Sequence, residues 1–174
     1  MRHFVSYFND SVKKHWDLPA VTNFGKETYT YAQLAEGIEK YHILFEKAGI
    51  KKGDNVALYA RNSAEWCIAY YATLTYDAVT VPFLPDFTPA SVVELSAFSE
   101  CKMIIVDDIA YDGLKSSEEL INNLEKIKGF VGILNLKDIK VLRDSSKILT
   151  EVCENIDAEM VKRHPNGLTP DSIN

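Results

Sequence analysis

Gly49-Ile50-Lys51-Lys52-Gly53-Asp54-Asn55-Val56-Ala57-Leu58 is followed by Asn62-Ser63-Ala64-Glu65-Trp66 and then by Val79-Thr80-Val81-Pro82. This stretch decides the fold class. Asn55 to Ala60 reads as a buried strand, because it is a short, nearly continuous apolar run bounded by turn residues. Asn62 is placed to cap a helix running to about Tyr76, with Trp66, Ala69, Tyr70 and Thr73 on one face. Val79 to Phe83 reads as a second strand, ended by Pro82 and Pro85. A strand, a helix and a strand in such close succession make a βαβ unit, whose strands are parallel.

Working upstream, Thr30 and Gln33 have capping-box spacing ahead of Leu34, Ile38, Tyr41, Phe45 and Ala48. Gly49 stands where a helix wants its left-handed cap. Ala20 to Phe24 and Thr28 to Tyr31 are β-prone on either side of Gly25-Lys26 and predict a hairpin. Val5, Phe8, Val12 and Trp16 predict an amphipathic helix to about His15.

Downstream, Thr88-Pro89 is a helix start and Met103 to Val106 an apolar strand. Ser116 and Glu119 have the spacing of a second capping box before Leu120, Ile121, Leu124 and Ile127, with Gly129 ending that helix before a strand from Phe130 to Leu136. Beyond Leu136, Val152, Ile156 and Met160 mark one helix and His164-Pro165-Asn166-Gly167 a turn. The expectation is an α/β fold: a layered, largely parallel sheet flanked by helices, with right-handed crossovers and an N-terminal β-hairpin.

Composition narrows the function. A chain of 174 residues with 47% apolar residues can bury a single-domain core. A net charge of −6 without a dense Lys/Arg cluster argues against a nucleic-acid partner. No apolar run approaches the ~20 residues of a membrane span, and Asn9 and Asp10 interrupt the place of a signal-peptide core. Cys67, Cys101 and Cys153 are odd in number and widely spaced, which fits neither a disulfide framework nor a metal site, so a cytoplasmic, reduced protein is expected.

Four patterns invite a chemical reading. Gly25-Lys26-Glu27-Thr28 resembles the tail of a phosphate-binding loop, but Glu27 stands where Ser or Thr is needed and no helix follows, so a hairpin turn is the better reading. Lys102 to Asp108 resembles the first strand of a receiver domain with its paired aspartates. No later strand ending in an acceptor aspartate follows, which leaves Asp107 and Asp108 as acidic residues closing a strand. His3, His15, His42 and His164 are isolated, and His42 beside its helix's apolar stripe reads as partly exposed. Trp66, Tyr70, Tyr71 and Tyr76 read as core rather than as a ligand platform.

The motif order carries more. Thr30-Tyr31-x-x-Leu34, Gly49-x-x-x-Gly53-Asp54-x-Val56-Ala57, Asn62-Ser63-x-Glu65-Trp66 and Val79-x-Val81-Pro82 resemble, in order and spacing, the N-terminal part of adenylate-forming acyl-CoA synthetases. Phe8-Asn9-x-Ser11-Val12 and Trp16-Asp17-x-Pro19-Ala20 resemble the long-chain fatty-acid branch. Asp77 departs from the pattern, since the family usually has glycine there; aspartate tolerates positive φ better than most residues. The resemblance is most specific over 28–82, extends as a core over 19–108, and is weakest over 137–174.

The resemblance implies an enzyme that uses ATP and Mg2+ to turn a fatty acid into an acyl-adenylate, then passes the acyl group to coenzyme A. None of the family's catalytic, cofactor-binding or metal residues matches a position in 1–174, so no site residue is assigned and no cofactor is expected for this segment alone. Leu168 to Asn174 resembles the lead-in to the family's phosphate-binding loop, which implies that the polypeptide continues with that loop. Residues 1–174 would then be an inactive N-terminal subdomain whose partner is the rest of the same polypeptide. Its uncovered surface would favour self-association, and the parent would be cytoplasmic or peripheral to a membrane. Two other readings stay open: a stand-alone α/β binding or scaffold module, and a receiver-like signalling domain resting on Asp107-Asp108.

Overall fold

The computed structural model describes residues 3–173. Helix α1 (Phe4–Lys14) precedes the hairpin β1 (Pro19–Thr22) and β2 (Thr28–Thr30), and α2 (Tyr31–Lys47) follows directly. Then come β3 (Asn55–Tyr59), α3 (Ala64–Thr75), β4 (Val79–Phe83), α4 (Pro89–Phe98), β5 (Met103–Val106), α5 (Asp108–Lys115), α6 (Glu118–Glu125), β6 (Gly132–Asn135), β7 (Val141–Asp144), α7 (Leu149–Glu154) and α8 (Ile156–Arg163). A 3-10 turn, Pro170–Ser172, follows.

The main sheet has the order β4-β3-β5-β6-β7. Its first four strands are parallel, and β7 runs antiparallel to β6. Side chains alternate between two packed layers, as strand geometry requires. Val56, Leu58, Met103 and Ile105 face α2, α3 and α7 on one side. Ala57, Tyr59, Ile104 and Val106 face α4, α5 and α6 on the other. The crossover through α3 moves toward β4 on the first face, and those through α4 and α5–α6 move the opposite way on the second, as a constant handedness demands.

Local signals explain most element boundaries. Thr30 and Gln33 form the capping box: Gln33 N–H donates to Thr30 Oγ1 at 3.3 Å and Thr30 N–H to Gln33 Oε1 at 2.9 Å. At the far end of α2, Gly49 has φ +78 and Ile50 N–H donates to Phe45 O at 2.9 Å, a closure that satisfies carbonyls left free by the last turn. Buried Ile50 thereby anchors the entry to β3.

Several boundaries differ from the sequence expectation. The α3 cap is Ser63 rather than Asn62, its hydroxyl accepting from Trp66 N–H at 3.1 Å. Pro82 does not end β4; it pairs with Leu58 inside the strand, which is tolerated because β4 is an edge and needs no donor on its outer side. Ser116 opens no capping box: α5 runs up to it, and its hydroxyl donates back to Gly113 O at 2.7 Å. Helix α6 stops at Glu125, before Gly129, whose φ of +76 serves the turn into β6. The single helix expected around Val152 to Met160 is two, broken at Asn155. Strand β7 has no counterpart in the sequence reading.

Candidate functional site

In an open parallel sheet, ligands sit beyond the carboxyl ends of the strands, at the point where successive strands depart to opposite sides. Here β4 leaves β3 on one side and β5 lies on the other, so that point falls between the ends of β3 and β5. A cleft of about 570 Å³ opens there. Arg61, Asn62 and Ser63 follow β3, Asp107 and Asp108 follow β5, Asn135 to Lys137 close β6, and the hairpin turn forms the far wall.

Asp107 is the hinge of this cleft. Its Oδ1 accepts from Ala110 N–H at 2.8 Å and so caps α5. Its Oδ2 accepts from the Arg61 backbone N–H at 3.1 Å and from Arg61 Nε at 3.0 Å. Burial pushes the carboxyl upward, but the Ala110 and Arg61 hydrogen bonds and the guanidinium charge outweigh it and hold the group below the ordinary aspartate range. Asp108 is engaged as well: Asn135 Nδ2 donates to its Oδ1 at 2.6 Å, while Asn135 Oδ1 accepts from Lys137 N–H at 2.8 Å.

Glu65, in the first turn of α3, fastens the hairpin over the cleft. It accepts from the Tyr29 hydroxyl at 2.8 Å and from Asn23 Nδ2 at 3.2 Å. Asn23 Oδ1 in turn accepts from Ala64 N–H at 2.7 Å, so the opening donors of α3 are shared between Asn23 and Ser63. Burial raises the Glu65 pKa, yet hydrogen bonding to its own backbone, Tyr29 and Asn23 brings it below the ordinary value. Burial and the Glu65 charge push the Tyr29 phenol up to about 12.

Cations (Lys26, Arg61, Lys137) and carboxylates (Glu27, Glu65, Asp107, Asp108) are interleaved around the cleft. This arrangement can orient a polar ligand. Ser63, the one serine of the lining, is spent on a cap, and no cysteine is among the lining residues; burial pushes the Cys67, Cys101 and Cys153 thiols up, the last two to about 11. Among the described residues no group of three or more His, Cys, Asp or Glu is arranged to hold a metal ion.

The patterns singled out in the sequence fall as follows. Gly25-Lys26 is the hairpin turn, with Gly25 at φ +70 and Lys26 N–H donating to Asn23 O at 2.9 Å. His42 lies half-buried between α2 and α3, its Nε2 2.9 Å from Thr75 Oγ1 and 3.1 Å from Ala72 O, remote from the cleft lining. Trp66, Tyr70, Tyr71 and Tyr76 pack against the first core layer. Asp77, at φ +64, holds the left-handed conformation that glycine would otherwise supply. Sequence reasoning did not single out Arg61, Glu65 or Asn135 as cleft residues, because their meeting depends on strand order. Asn174, the last residue of the phosphate-loop lead-in, lies outside the described residues.

Comparison with known proteins agrees with this architecture. The chain is 29% identical over 128 residues to a 4-coumarate–CoA ligase of Humulus lupulus, a match covering 73% of this chain and 21% of the relative. It is 29% identical over 109 residues to a long-chain-fatty-acid–CoA ligase of Escherichia coli O157:H7, covering 62% of this chain and 19% of that protein. The chain thus spans about a fifth of the length of these relatives. The solved benzoate CoA ligase of Burkholderia xenovorans LB400 shares the fold with a TM-score of 0.68 at 16% identity, over 88% of this chain and 28% of that one. The profile of the family described as "AMP-binding enzyme" matches residues 8–172, and with nearly the whole chain inside that match, the chain belongs to the AMP-binding enzyme family.

Proposed function

We propose that residues 1–174 are the N-terminal subdomain of an acyl-CoA ligase acting on a long-chain fatty acid, with 19–108 as its most characteristic part. The observation that carries this reading is the family match over residues 8–172, together with relatives named as CoA ligases; the ordered set of motifs from Thr30 to Pro82 lies inside that match. The finer choice of acid rests on the Phe8 to Ala20 segment and on relatives named as long-chain-fatty-acid–CoA ligases.

In such a reaction a carboxylate oxygen attacks the α-phosphorus of ATP, and the bond to pyrophosphate breaks. The coenzyme A sulfur then attacks the acyl carbonyl and AMP leaves. Mg2+ would accompany the triphosphate and offset its charge. Asp107 and Asp108 are already engaged by Arg61, Ala110 and Asn135, so this chain's residues do not fit that ion. This subdomain supplies the rigid sheet and the polar cleft at its carboxyl edge. The odd number and wide spacing of Cys67, Cys101 and Cys153 support the reading of a reducing, cytoplasmic setting, and no described helix is long and apolar enough to cross a membrane.

The test uses the full polypeptide that carries this chain, incubated with ATP, coenzyme A and palmitate, 4-coumarate or benzoate. Faster thioester formation with palmitate is expected. Faster turnover of an aromatic acid overturns the long-chain assignment, and absence of AMP release with every acid overturns the ligase. A second reading, a non-catalytic binding module, is favoured by one observation: the cleft is walled by this chain's own residues. Calorimetry of residues 1–174 with Mg·ATP separates the two, since micromolar binding would show a nucleotide site complete within this segment.

A further inference from the structure

Helix α8 is held to the protein more by charge than by burial, its one apolar contact with the core being half-buried Ile156. None of its residues is buried: Ile156 and Met160 are half-buried and Val161 is exposed. The neighbouring α7, by contrast, inserts Leu149 and Val152 into the core. Beside Ile156, what holds α8 is a set of ion pairs to α2. Lys40 Nζ lies 2.9 Å from Asp157, Lys47 Nζ lies 3.2 Å from Glu159, and Arg163 reaches both Glu39, at 3.2 Å, and Glu46. His164 Nε2 is 3.2 Å from the same Glu39 oxygen.

The backbone adds nothing to this attachment. Among the described residues, no backbone hydrogen bond from 156–173 reaches any residue before Asn155; the bonds of this segment close within it, as in Glu159 N–H to Asn155 O, Gly167 N–H to His164 O and Ser172 N–H to Thr169 O. Among the described residues downstream of α8, Leu168 and Ile173 pack half-buried against the core, Ile173 lines a small cavity beside Phe8, Val12 and Ile38, and the Pro170–Ser172 turn lies against α1. A segment with few buried apolar atoms and no ladder to the sheet is the kind that opens below the global unfolding threshold. The pairs of Asp157 and Glu159 are exposed or partly exposed, individually weak and screened as salt rises, while the more buried Glu39 cluster is screened less.

We propose that residues 156–173 form an electrostatic clasp on α2 that releases as one unit when the ion pairs are screened, with the sheet and α7 remaining folded and the charged face of α2 uncovered. The hinge is Asn155, where α7 ends and the chain departs from helical geometry at φ −108, ψ 9. Glu39 is the keystone, since Arg163 and His164 converge on it from the clasp while His42 approaches it from α2 itself.

Hydrogen exchange of the whole chain, followed by mass spectrometry between 20 mM and 0.5 M NaCl (roughly a fivefold change in screening length), tests this. Protection over 157–163 should fall about tenfold or more, while that of 56–59 and 103–106 changes less than about twofold. Lys40→Glu at low salt should reproduce the loss, and adding Asp157→Lys should restore protection by rebuilding the pair with its charges exchanged. Salt-independent protection of 157–163, its loss in step with β5, or failure of the exchanged pair to restore it each overturns the clasp.

Discussion

Asp107 and Arg61 join the residues that follow two neighbouring parallel strands: the Arg61 guanidinium Nε lies 3.0 Å from Asp107 Oδ2, and the Arg61 backbone N–H donates to the same oxygen. The other Asp107 oxygen caps α5. One carboxylate therefore sets the spacing of the β3 and β5 exits and the start of the helix behind them. Asp107→Ala should cost about 1–2 kcal/mol, the value of a lost cap. Asp107→Asn keeps a capping oxygen and should cost less. Urea denaturation of the two variants measures the difference.

Glu65 ties the hairpin to α3 through Tyr29 and Asn23. Glu65→Ala should remove about 1.5–3 kcal/mol, the range for hydrogen bonds to a charged group. It should also let the Tyr29 phenol fall from about 12 toward its ordinary 10. Ultraviolet titration of the tyrosines reads that change directly, and chymotrypsin should cut faster at the fully exposed Phe24 on the loosened turn.

Gly132 permits the pairing of β6 with β7. Its φ is +153, and a Cβ there would lie 2.2 Å from Arg143 O and 2.6 Å from Leu149 Cδ1. Since the nearest obstacle is backbone, Gly132→Ala should displace β7 and destabilise by about 3 kcal/mol or more. The expected outcome is a chain that keeps helical circular dichroism but unfolds at much lower urea.

Acid should weaken the α2–α8 contact. Burial raises the Glu39 pKa, but hydrogen bonds from His42 and His164 and the charges of His42 and Arg163 outweigh it, bringing 4.5 down to about 2. A folded-state pKa below the ordinary value means a contribution fully present above about pH 4.5 and lost as pH falls toward 2. Because Glu39 is only partly buried and solvent screens its partners, the contribution is discounted to roughly 1–2 kcal/mol. Glu39→Gln should remove the Glu39 share of the pH dependence and leave that of Glu65, Asp107 and Asp144, as read from the difference in urea midpoints between the two proteins from pH 2.5 to 6.

The stretch from α2 to β4 was legible, apart from the exact α3 cap, because its signals are local. A capping box, a left-handed glycine and two short apolar runs each dictate geometry within a few residues of themselves. Asp77 was legible in the same way, as a residue able to hold positive φ. Strand β7 was not: Val141-Leu142-Arg143-Asp144 is half-buried throughout and is a strand only because β6 lies beside it. The break at Asn155 escaped for a related reason, since Val152, Ile156 and Met160 keep helical spacing across it. The cleft was illegible in principle. Arg61, Asp107 and Asn135 are distant in the chain and meet only because the strand order is β3-β5-β6.

Pro82 has a consequence beyond the geometry of β4. Among the described residues no strand pairs with the outer side of β4, which leaves a template on which another strand could add. Proline offers no N–H, so an incoming strand cannot complete an unbroken ladder there. The same residue that lies opposite Leu58 within β4 therefore disfavours strand addition along that edge.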